Sequence, residues 1–182
     1  MRDEELLRLI AQKDPTAFRE WYDRHSQAVY GYLYRLLGDG HAAEDVLSEA
    51  MFAVWLEAAR FRGECRPRTW LFRIARNKAV EWMRRRAAAR ENPDGGIWES
   101  AVCEFERMDT RLAVEQALRD LPREHREVVE LAFFFGFPYE DIARILGCPV
   151  NTVKTRMFWA KRKLRRALGP PEEHREEAQR GT

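Results

Sequence analysis

Residues 139–166 read YEDIARILGCPVNTVKTRMFWAKRKLRR, and this stretch decides the fold of the C-terminal part of the chain. Pro138 suits the first turn of a helix, and Gly147 suits a left-handed turn at its end. Pro149 and Asn151 then supply a break and a candidate N-cap. A second apolar stripe follows at helical spacing, through Val153, Met157, Ala160, Leu164 and Leu168. The pattern predicts two helices joined by a tight turn, which is a helix-turn-helix.

The second helix of this motif is basic throughout. From residue 151 to residue 166 the sequence has seven Lys or Arg and no Asp or Glu. A helix that is merely solvated usually carries mixed charge, so this pattern favours an anionic partner. In the major groove of DNA, Arg and Lys can read guanine edges while other cations hold phosphates. The residues predicted to bind duplex DNA are Thr152, Lys154, Thr155, Arg156, Phe158, Trp159 and Arg162.

The rest of the chain is also expected to be helical. Hydrophobic residues make up 45% and charged residues 34% of the 182 positions, with few Gly and Pro, which favours an all-α protein with a core. Apolar residues at helical spacing predict three N-terminal helices and two more before the motif. Their expected bounds are 15–37, 41–60, 68–86, 110–120 and a helix through 128–133 that Gly136 ends.

Two small domains are predicted, with a linker between them. ENPDGG at residues 91–96 mixes Pro, paired Gly and acids, and more acids follow it, which is typical of a flexible acidic linker. The expected organisation is a domain at 1–90, a linker at 91–108 and a helix-turn-helix domain at 109–168. The polar, proline-led residues 169–182 are predicted to form a disordered tail.

Several functional classes receive no support from the sequence. Cys65, Cys103 and Cys148 are odd in number and never form a C-x-x-C pair, which argues against a disulfide framework or a zinc site. The four His are scattered, so we predict no catalytic residues, metal or cofactor, and no enzyme. No apolar run reaches the roughly 18 residues of a membrane span, so a cytoplasmic protein without membrane insertion is expected.

The predicted helix at 68–86 offers a second basic surface. At 100° per residue, Leu71, Phe72, Ala75, Ala79, Trp82 and Met83 fall on one broad, core-facing side. Arg73, Asn77 and Arg84 form a stripe on the far side, with Trp70 at its margin. Cations, an amide and an aromatic ring suit single-stranded DNA, because they can track the backbone, bond a base edge and stack on bases. A core tryptophan is an equally good interpretation of Trp70.

The chain resembles the sigma factors of bacterial RNA polymerase, of the small two-domain extracytoplasmic-function (ECF) type. The segments that carry the resemblance cover almost the whole chain in the family's order, which a lone helix-turn-helix would not do. They are DPTAFREWYDRH (14–25), AEDVLSEAMFAVW (43–55), RPRTWLFRIARN (66–77), LPREHREVVEL (121–131) and YEDIARILGCPVNTVKTRMFWAKRKL (139–164).

The resemblance implies a role for each part of the chain. The N-terminal domain would bind the clamp of core RNA polymerase through the helix that bears Asp45, Ser48, Glu49 and Trp55. It would also open the minus-ten element of promoter DNA, with Trp70 and Asn77 on the melted strand. The C-terminal domain would read the minus-thirty-five element, and the acidic linker would thread the polymerase cleft. An anti-sigma factor is a further implied partner.

Four positions depart from the family's pattern. Ser48 stands where Gln is typical, which affects one polar contact to polymerase. Trp159 stands at a position that is usually basic in the family, which implies stacking or packing in place of a phosphate contact. Pro138 takes the place of a frequent Ser cap. Leu71 stands where housekeeping relatives have a second tryptophan, which implies weaker melting and a narrower promoter set.

The competing interpretation is a helix-turn-helix repressor or activator that is not a polymerase subunit. Its N-terminal half would then serve dimerisation or sensing, and it would bind palindromic sites tightly without polymerase. A sigma factor instead binds DNA weakly alone and opens an asymmetric promoter only with polymerase.

Overall fold

The structure, a computed structural model, describes residues 1–89 and 110–168. Within these residues the chain forms eight α-helices and a single-turn 3₁₀ helix (Ala58–Arg60), and no β-strand, as expected of an all-α protein. The chain divides into two compact units, one built on the helices within residues 1–89 and one on those within residues 110–133 and 150–168. The predicted linker at 91–108 and the predicted tail at 169–182 lie outside the described residues. The helices are α1 (Asp3–Ala11), α2 (Pro15–Leu37), α3 (Gly40–Glu57), α4 (Pro67–Ala89), α5 (Thr110–Arg119), α6 (Arg123–Phe133), α7 (Tyr139–Leu146) and α8 (Val150–Leu168).

The predicted first long helix is confirmed as α2, and local chemistry sets both of its ends. The Asp14 carboxylate accepts hydrogen bonds from the backbone N–H groups of Thr16 (2.8 Å) and Ala17 (3.3 Å). Pro15 occupies the first turn, where no N–H is needed. Gly38 ends the helix in the left-handed conformation, with φ of 70°.

Helices α2, α3 and α4 pack on one another to form the N-terminal core, and α1 packs against α2. The largest side chains of this core are fully buried, and the rings of Tyr32 and Phe72 lie 5.3 Å apart between α2 and α4. Each such side chain stabilises the fold by roughly 1.5–3 kcal/mol relative to an exposed one. This packing leaves one face of α3 and one face of α4 uncovered.

Two boundaries in this unit differ from the prediction. The second helix was expected to run to Arg60, but α3 ends at Glu57 and the chain tightens into a 3₁₀ turn, closed by the bond from Phe61 N–H to the Ala58 carbonyl (3.1 Å). Such turns are common at helix ends because they satisfy otherwise orphan carbonyls. The third helix is longer than expected, since α4 runs from Pro67 to Ala89.

In the C-terminal unit, α5 and α6 pack against α8, and Gly147 joins α7 to α8 with a φ of 65°. The predicted N-cap at Asn151 is wrong. Helix α8 begins at Val150, and the N–H groups of Thr152 and Val153 bond to the Pro149 carbonyl. Pro138 likewise precedes α7 and accepts its first backbone bonds instead of lying in the first turn. A proline at this position loses nothing, because only its carbonyl is needed there.

The apolar stripe of α8 is shorter than predicted. Val153, Met157 and Ala160 are buried, whereas Leu164 is half-buried and Leu168 is 40% exposed. The opposite face of α8 is left open to solvent.

Candidate nucleic-acid interface and docking face

The open face of α8 carries most of the residues predicted to bind duplex DNA. The side chains of Lys154, Thr155, Phe158, Trp159 and Arg162 are exposed, while those of Thr152 and Arg156 are half-buried. The Thr155 hydroxyl donates to the Asn151 carbonyl (2.9 Å), which leaves its oxygen lone pairs available as acceptors. Five of the seven predicted residues therefore share a surface that faces solvent.

Arg156 does not point outward as expected. Its guanidinium pairs with the carboxylate of Glu124, at the start of α6. On a helical wheel, Arg156 lies to the side of the outward face, next to the buried stripe. The placement of Arg156 on the outward face was therefore wrong, because a contact between two helices cannot be seen in the periodicity of one. Its base-reading role stays a prediction.

Two aromatic rings lie next to each other on the outward face. Phe158 is 61% and Trp159 is 47% exposed, and their ring centroids are 5.5 Å apart in an edge-to-face arrangement. The Arg162 guanidinium carbon lies 5.3 Å from the centroid of the Trp159 ring, as in a cation–π contact. The aromatic pair thus has a defined arrangement while much of its surface stays accessible.

The other cations of α8 are only partly engaged. The Lys163 ammonium donates to the Asp120 carbonyl (2.7 Å), and the Lys161 ammonium lies 5.9 Å from the centroid of the Phe133 ring. Lys154, Arg165 and Arg166 form no ion pair with any residue at 1–89 or 110–168. These three charges are available to an anion.

On α4, the predicted stripe is exposed, but the Trp70 side chain that was expected to be exposed beside it is buried. Arg73, Asn77 and Arg84 are exposed and have no ion pair or hydrogen bond to a described side chain. Trp70 is only 6% exposed, and its ring lies 5.4 Å from that of Phe61 in the preceding loop. The structure thus favours the core interpretation of Trp70, and its expected place beside the stripe is corrected. Contact with a single strand stays a prediction for all four residues.

Two ion pairs connect the C-terminal half of α4 to acidic side chains in α3 and at its N-cap. Arg85 pairs with Glu49 of α3 (3.1 Å) and Arg86 pairs with Asp39 (3.3 Å). Asp39 also caps α3 by accepting a hydrogen bond from the Ala42 N–H (3.1 Å). That backbone hydrogen bond and the Arg86 guanidinium hold the pKa of the Asp39 carboxyl below its ordinary value. Trp82 and Met83, which were expected in the core, are half-buried, and Arg86 lies over the Trp82 ring (4.9 Å).

Helix α3 presents an acidic and apolar face, which we call the α3 docking face. Asp45 and Ser48 are exposed and Glu49 is half-buried on this face, as the resemblance implied for a polymerase contact. Farther along the same face of α3 lie Phe52, 61% exposed, and Leu56, 56% exposed, which sequence reasoning missed. Their spacing from Asp45 and Ser48 (i+7, i+8 and i+11) could have revealed the shared face.

Trp55 lies at the edge of the docking face. Its ring makes an edge-to-face contact with Phe18 of α2, with centroids 5.3 Å apart. The Lys13 ammonium lies over the same ring, 5.1 Å from its centroid. Trp55 is half-buried as a result, so part of its surface anchors α3 and part stays accessible.

No group of three or more His, Cys, Asp or Glu within residues 1–89 and 110–168 is arranged to hold a metal ion. None of the helices that the structure describes is both long and apolar enough to cross a membrane.

Comparisons with known proteins extend this picture. Residues 21–89 match the family Sigma-70 region 2, and residues 111–164 match Sigma-70, region 4. The chain is 34% identical over 165 residues to the ECF RNA polymerase sigma factor SigL of Mycobacterium tuberculosis. This alignment covers 87% of this chain and 92% of that protein. It is 30% identical over 185 residues to the RNA polymerase sigma-H factor of Pseudomonas aeruginosa. This alignment covers 93% of this chain and 95% of that protein.

Solved structures that are similar to this one include two complexes. The sigma factor RpoE of Bartonella quintana, in complex with the anti-sigma factor NepR, matches with a TM-score of 0.72 and 27% identity over 83% of this chain and 96% of that chain. CnrH, in complex with the cytosolic domain of CnrY, matches with a TM-score of 0.68 and 26% identity over 91% and 96%. The two region matches, the relatives that span nearly the whole chain and the shared helical fold lead to one conclusion: the chain belongs to the ECF RNA polymerase sigma factors.

Proposed function

We propose that this chain binds core RNA polymerase through the α3 docking face and directs it to specific promoters for transcription initiation. Helix α8 recognises the minus-thirty-five element as duplex DNA, and α4 contacts the minus-ten element as a melted strand. The observation that carries the proposal is that one chain exposes two separate basic helices and an acidic, apolar face with a different chemistry.

The chemistry of each surface suits its proposed partner. The outward face of α8 has cations for phosphates and side chains that can reach base edges in a major groove. The stripe of α4 has Arg73 and Arg84 for a backbone and the Asn77 amide for an unpaired base edge. The docking face combines the Phe52 and Leu56 side chains with carboxylates, which is the composition of a protein interface with an apolar centre and a charged rim.

The alternative function, a repressor or activator that is not a polymerase subunit, is not favoured. Both region matches and the nearly full-length relatives point to a sigma factor, whereas a helix-turn-helix domain alone would account only for the C-terminal unit. As a sigma factor, the chain acts as a regulatory subunit in the cytoplasm and has no catalysis of its own.

An anti-sigma factor is part of this proposal. The solved structure of RpoE contains the anti-sigma factor NepR, and its sigma chain aligns over 83% of this one. We infer that a comparable protein restrains this sigma factor by covering its exposed surfaces. The exposed Phe52 and Leu56 side chains would serve such a partner as well as they serve polymerase.

The test is reconstitution with core RNA polymerase. Purified chain is incubated with core enzyme, captured, and assayed by run-off transcription on genomic fragments. The proposal expects a stable complex that initiates at a small set of asymmetric promoters. A chain that fails to associate with polymerase, or that binds palindromic DNA tightly without it, would contradict the proposal and favour the repressor interpretation.

A further inference from the structure

Phe158 and Trp159 form an exposed aromatic pair on α8. They are consecutive, 61% and 47% exposed, and lie on the outward face of a helix whose charged residues are all cations. Leaving large aromatic side chains in water forgoes the free energy that burial would supply. Their partner must therefore offer apolar groups within a strongly anionic surrounding.

The major groove of DNA meets both conditions. Its rims carry phosphates, and the base pairs in its floor present hydrogen-bonding edges together with one kind of methyl group, the 5-methyl of thymine. Guanine and cytosine present polar groups there. An aromatic side chain that enters the groove beside cations thus gains most where a thymine lies beneath it.

In the free protein the two rings already have a defined arrangement that suits this contact. The edge-to-face packing of Phe158 on Trp159 (5.5 Å) and the stacking of Arg162 on Trp159 (5.3 Å) restrict both aromatic side chains in the free protein. Less side-chain entropy is then lost on binding. Arg162 also places a positive charge next to the rings, where it can reach a phosphate while they face the bases.

We propose that Phe158 and Trp159 read thymine 5-methyl groups in the duplex promoter element. The inference rests on the proposed function of α8 and adds the base that it selects. The indole of Trp159 has a single N–H donor, so it cannot make the bidentate bonds by which Arg reads guanine. The base pair beneath Trp159 is selected by its methyl group.

The experiment removes that methyl group and nothing else. Holoenzyme, reconstituted from the full chain and core polymerase, selects its preferred minus-thirty-five element from a randomised library. Each thymine of the selected element is then replaced singly by deoxyuridine, and holoenzyme binding is measured. One or two replacements should weaken binding about fourfold, which is the value of one buried methyl-sized group. Deoxyuridine outside the element should have no effect.

Variants assign the effect to the aromatic pair. Trp159→Ala and Phe158→Ala should bind the thymine and deoxyuridine duplexes equally well at the positions that they read. Trp159→Arg should shift the selected base from thymine towards guanine. Arg165→Ala is the matched control on the same helix, and it should weaken binding to both duplexes equally while keeping the fourfold difference between them. Circular dichroism verifies that each variant is folded.

The outcomes separate this inference from the proposed function. A holoenzyme that selects a promoter but tolerates deoxyuridine at every position, or selects an element without thymine on either strand, overturns the methyl reading and leaves the proposed function standing. The aromatic pair would then serve a protein partner. A chain that gives no promoter-dependent binding with polymerase overturns both.

Discussion

Helices α4 and α8 each carry seven Lys or Arg, yet the two sets of charges have different surroundings. In α4, ion pairs with Asp39, Glu49 and Glu81 engage the C-terminal half. Helix α8 contains no acid, and its described ion pair is the one between Arg156 and Glu124. Counting cations therefore does not locate a nucleic-acid surface, because cations paired within the fold are already partly neutralised.

The unpaired charges of the two helices also differ in their setting. On α4 they are Arg73 and Arg84, which flank Asn77 in a narrow stripe. On α8, Lys154, Arg165 and Arg166 surround an exposed aromatic pair on a broader face. A broad cationic face suits a duplex with two phosphate backbones, and a narrow stripe with an amide suits one strand.

The largest expected effect tests the premise that both helices act within a polymerase complex. Replacing Phe52 and Leu56 by Asp should weaken binding to core polymerase by about 2 kcal/mol or more, roughly thirtyfold, since exposed apolar anchors dominate interfaces of this kind. Co-purification with core enzyme and run-off transcription measure the loss. Tyr22→Ala, at another exposed ring, is the control and should bind normally. Normal polymerase binding by the Phe52 and Leu56 variant would remove the α3 docking face from the interface.

The second prediction concerns base reading by α8. Lys154→Ala should weaken promoter-dependent transcription by roughly 1–3 kcal/mol if Lys154 contacts a base edge. Arg156→Ala should show a loss in the same range if Arg156 reads a base, and Glu124→Gln tests whether its ion pair holds it in position. The measurement is transcription from promoters mutated one base pair at a time. If Lys154→Ala and Arg156→Ala both select the same promoters as wild type, neither side chain reads a base.

The third prediction concerns the single strand at α4. Asn77→Ala should leave duplex binding intact and impair strand opening by roughly 0.5–1.5 kcal/mol, the value of a lost hydrogen bond. Permanganate reactivity of unpaired thymines in the polymerase complex measures the opening. The control is Arg85→Ala. Arg85 also lies on α4 but is paired with Glu49, so this variant should open the promoter normally. Equal reactivity of Asn77→Ala and wild type would contradict a role in base capture.

The fourth prediction compares one cation from each helix directly. Arg165→Ala should reduce the salt dependence of promoter binding by about one unit of slope, because one fewer phosphate is neutralised. Arg85→Ala should leave the slope unchanged, because Glu49 already neutralises that guanidinium. Titrating holoenzyme binding against salt concentration gives both slopes. Equal reductions in both variants would erase the distinction between the two helices.

Much of this organisation could be predicted from the sequence. The position of α2 follows from Asp14, Pro15 and Gly38, whose local chemistry sets its ends without help from distant residues. The helix-turn-helix follows from Gly147 and the periodic apolar residues. The exposed stripe of α4 follows from the helical period alone, and the resemblance to ECF sigma factors is confirmed by the comparisons.

What could not be predicted depends on contacts between elements. Trp70 falls at the margin of the stripe on a helical wheel, but Phe61 in the preceding loop packs against it and the ring is buried. Phe52 and Leu56 look like core residues in the sequence, because apolar side chains are usually buried. Their helical spacing from Asp45 and Ser48 indicates that they share the acidic face, but how far they are exposed depends on α2 and α4 covering the other sides of α3.

The smallest expected effect concerns stability, and it tests whether an ion pair anchors α4. Asp39 caps α3 and pairs with Arg86, and its carboxyl pKa is lowered below the ordinary value of 3.8, chiefly by the Ala42 N–H and also by Arg86. A lowered pKa in the folded state means that the stabilisation is complete above that ordinary value and is lost as the pH falls through the folded pKa. Asn at this position can still cap the helix but cannot pair with Arg86.

Asp39→Asn should therefore melt at a lower temperature than wild type at pH 7. Its free energy of unfolding should be lower by less than about 1 kcal/mol, because the pair is partly exposed to solvent. The difference should shrink as the pH is lowered from 5 to 3 and the wild-type carboxyl becomes protonated. Thermal unfolding followed by circular dichroism across this range is the measurement. Arg165→Asn, on the unpaired face of α8, should show no such pH-dependent difference. A constant difference between Asp39→Asn and wild type at every pH would mean that neither the charge of the Asp39 cap nor its pair with Arg86 adds stability.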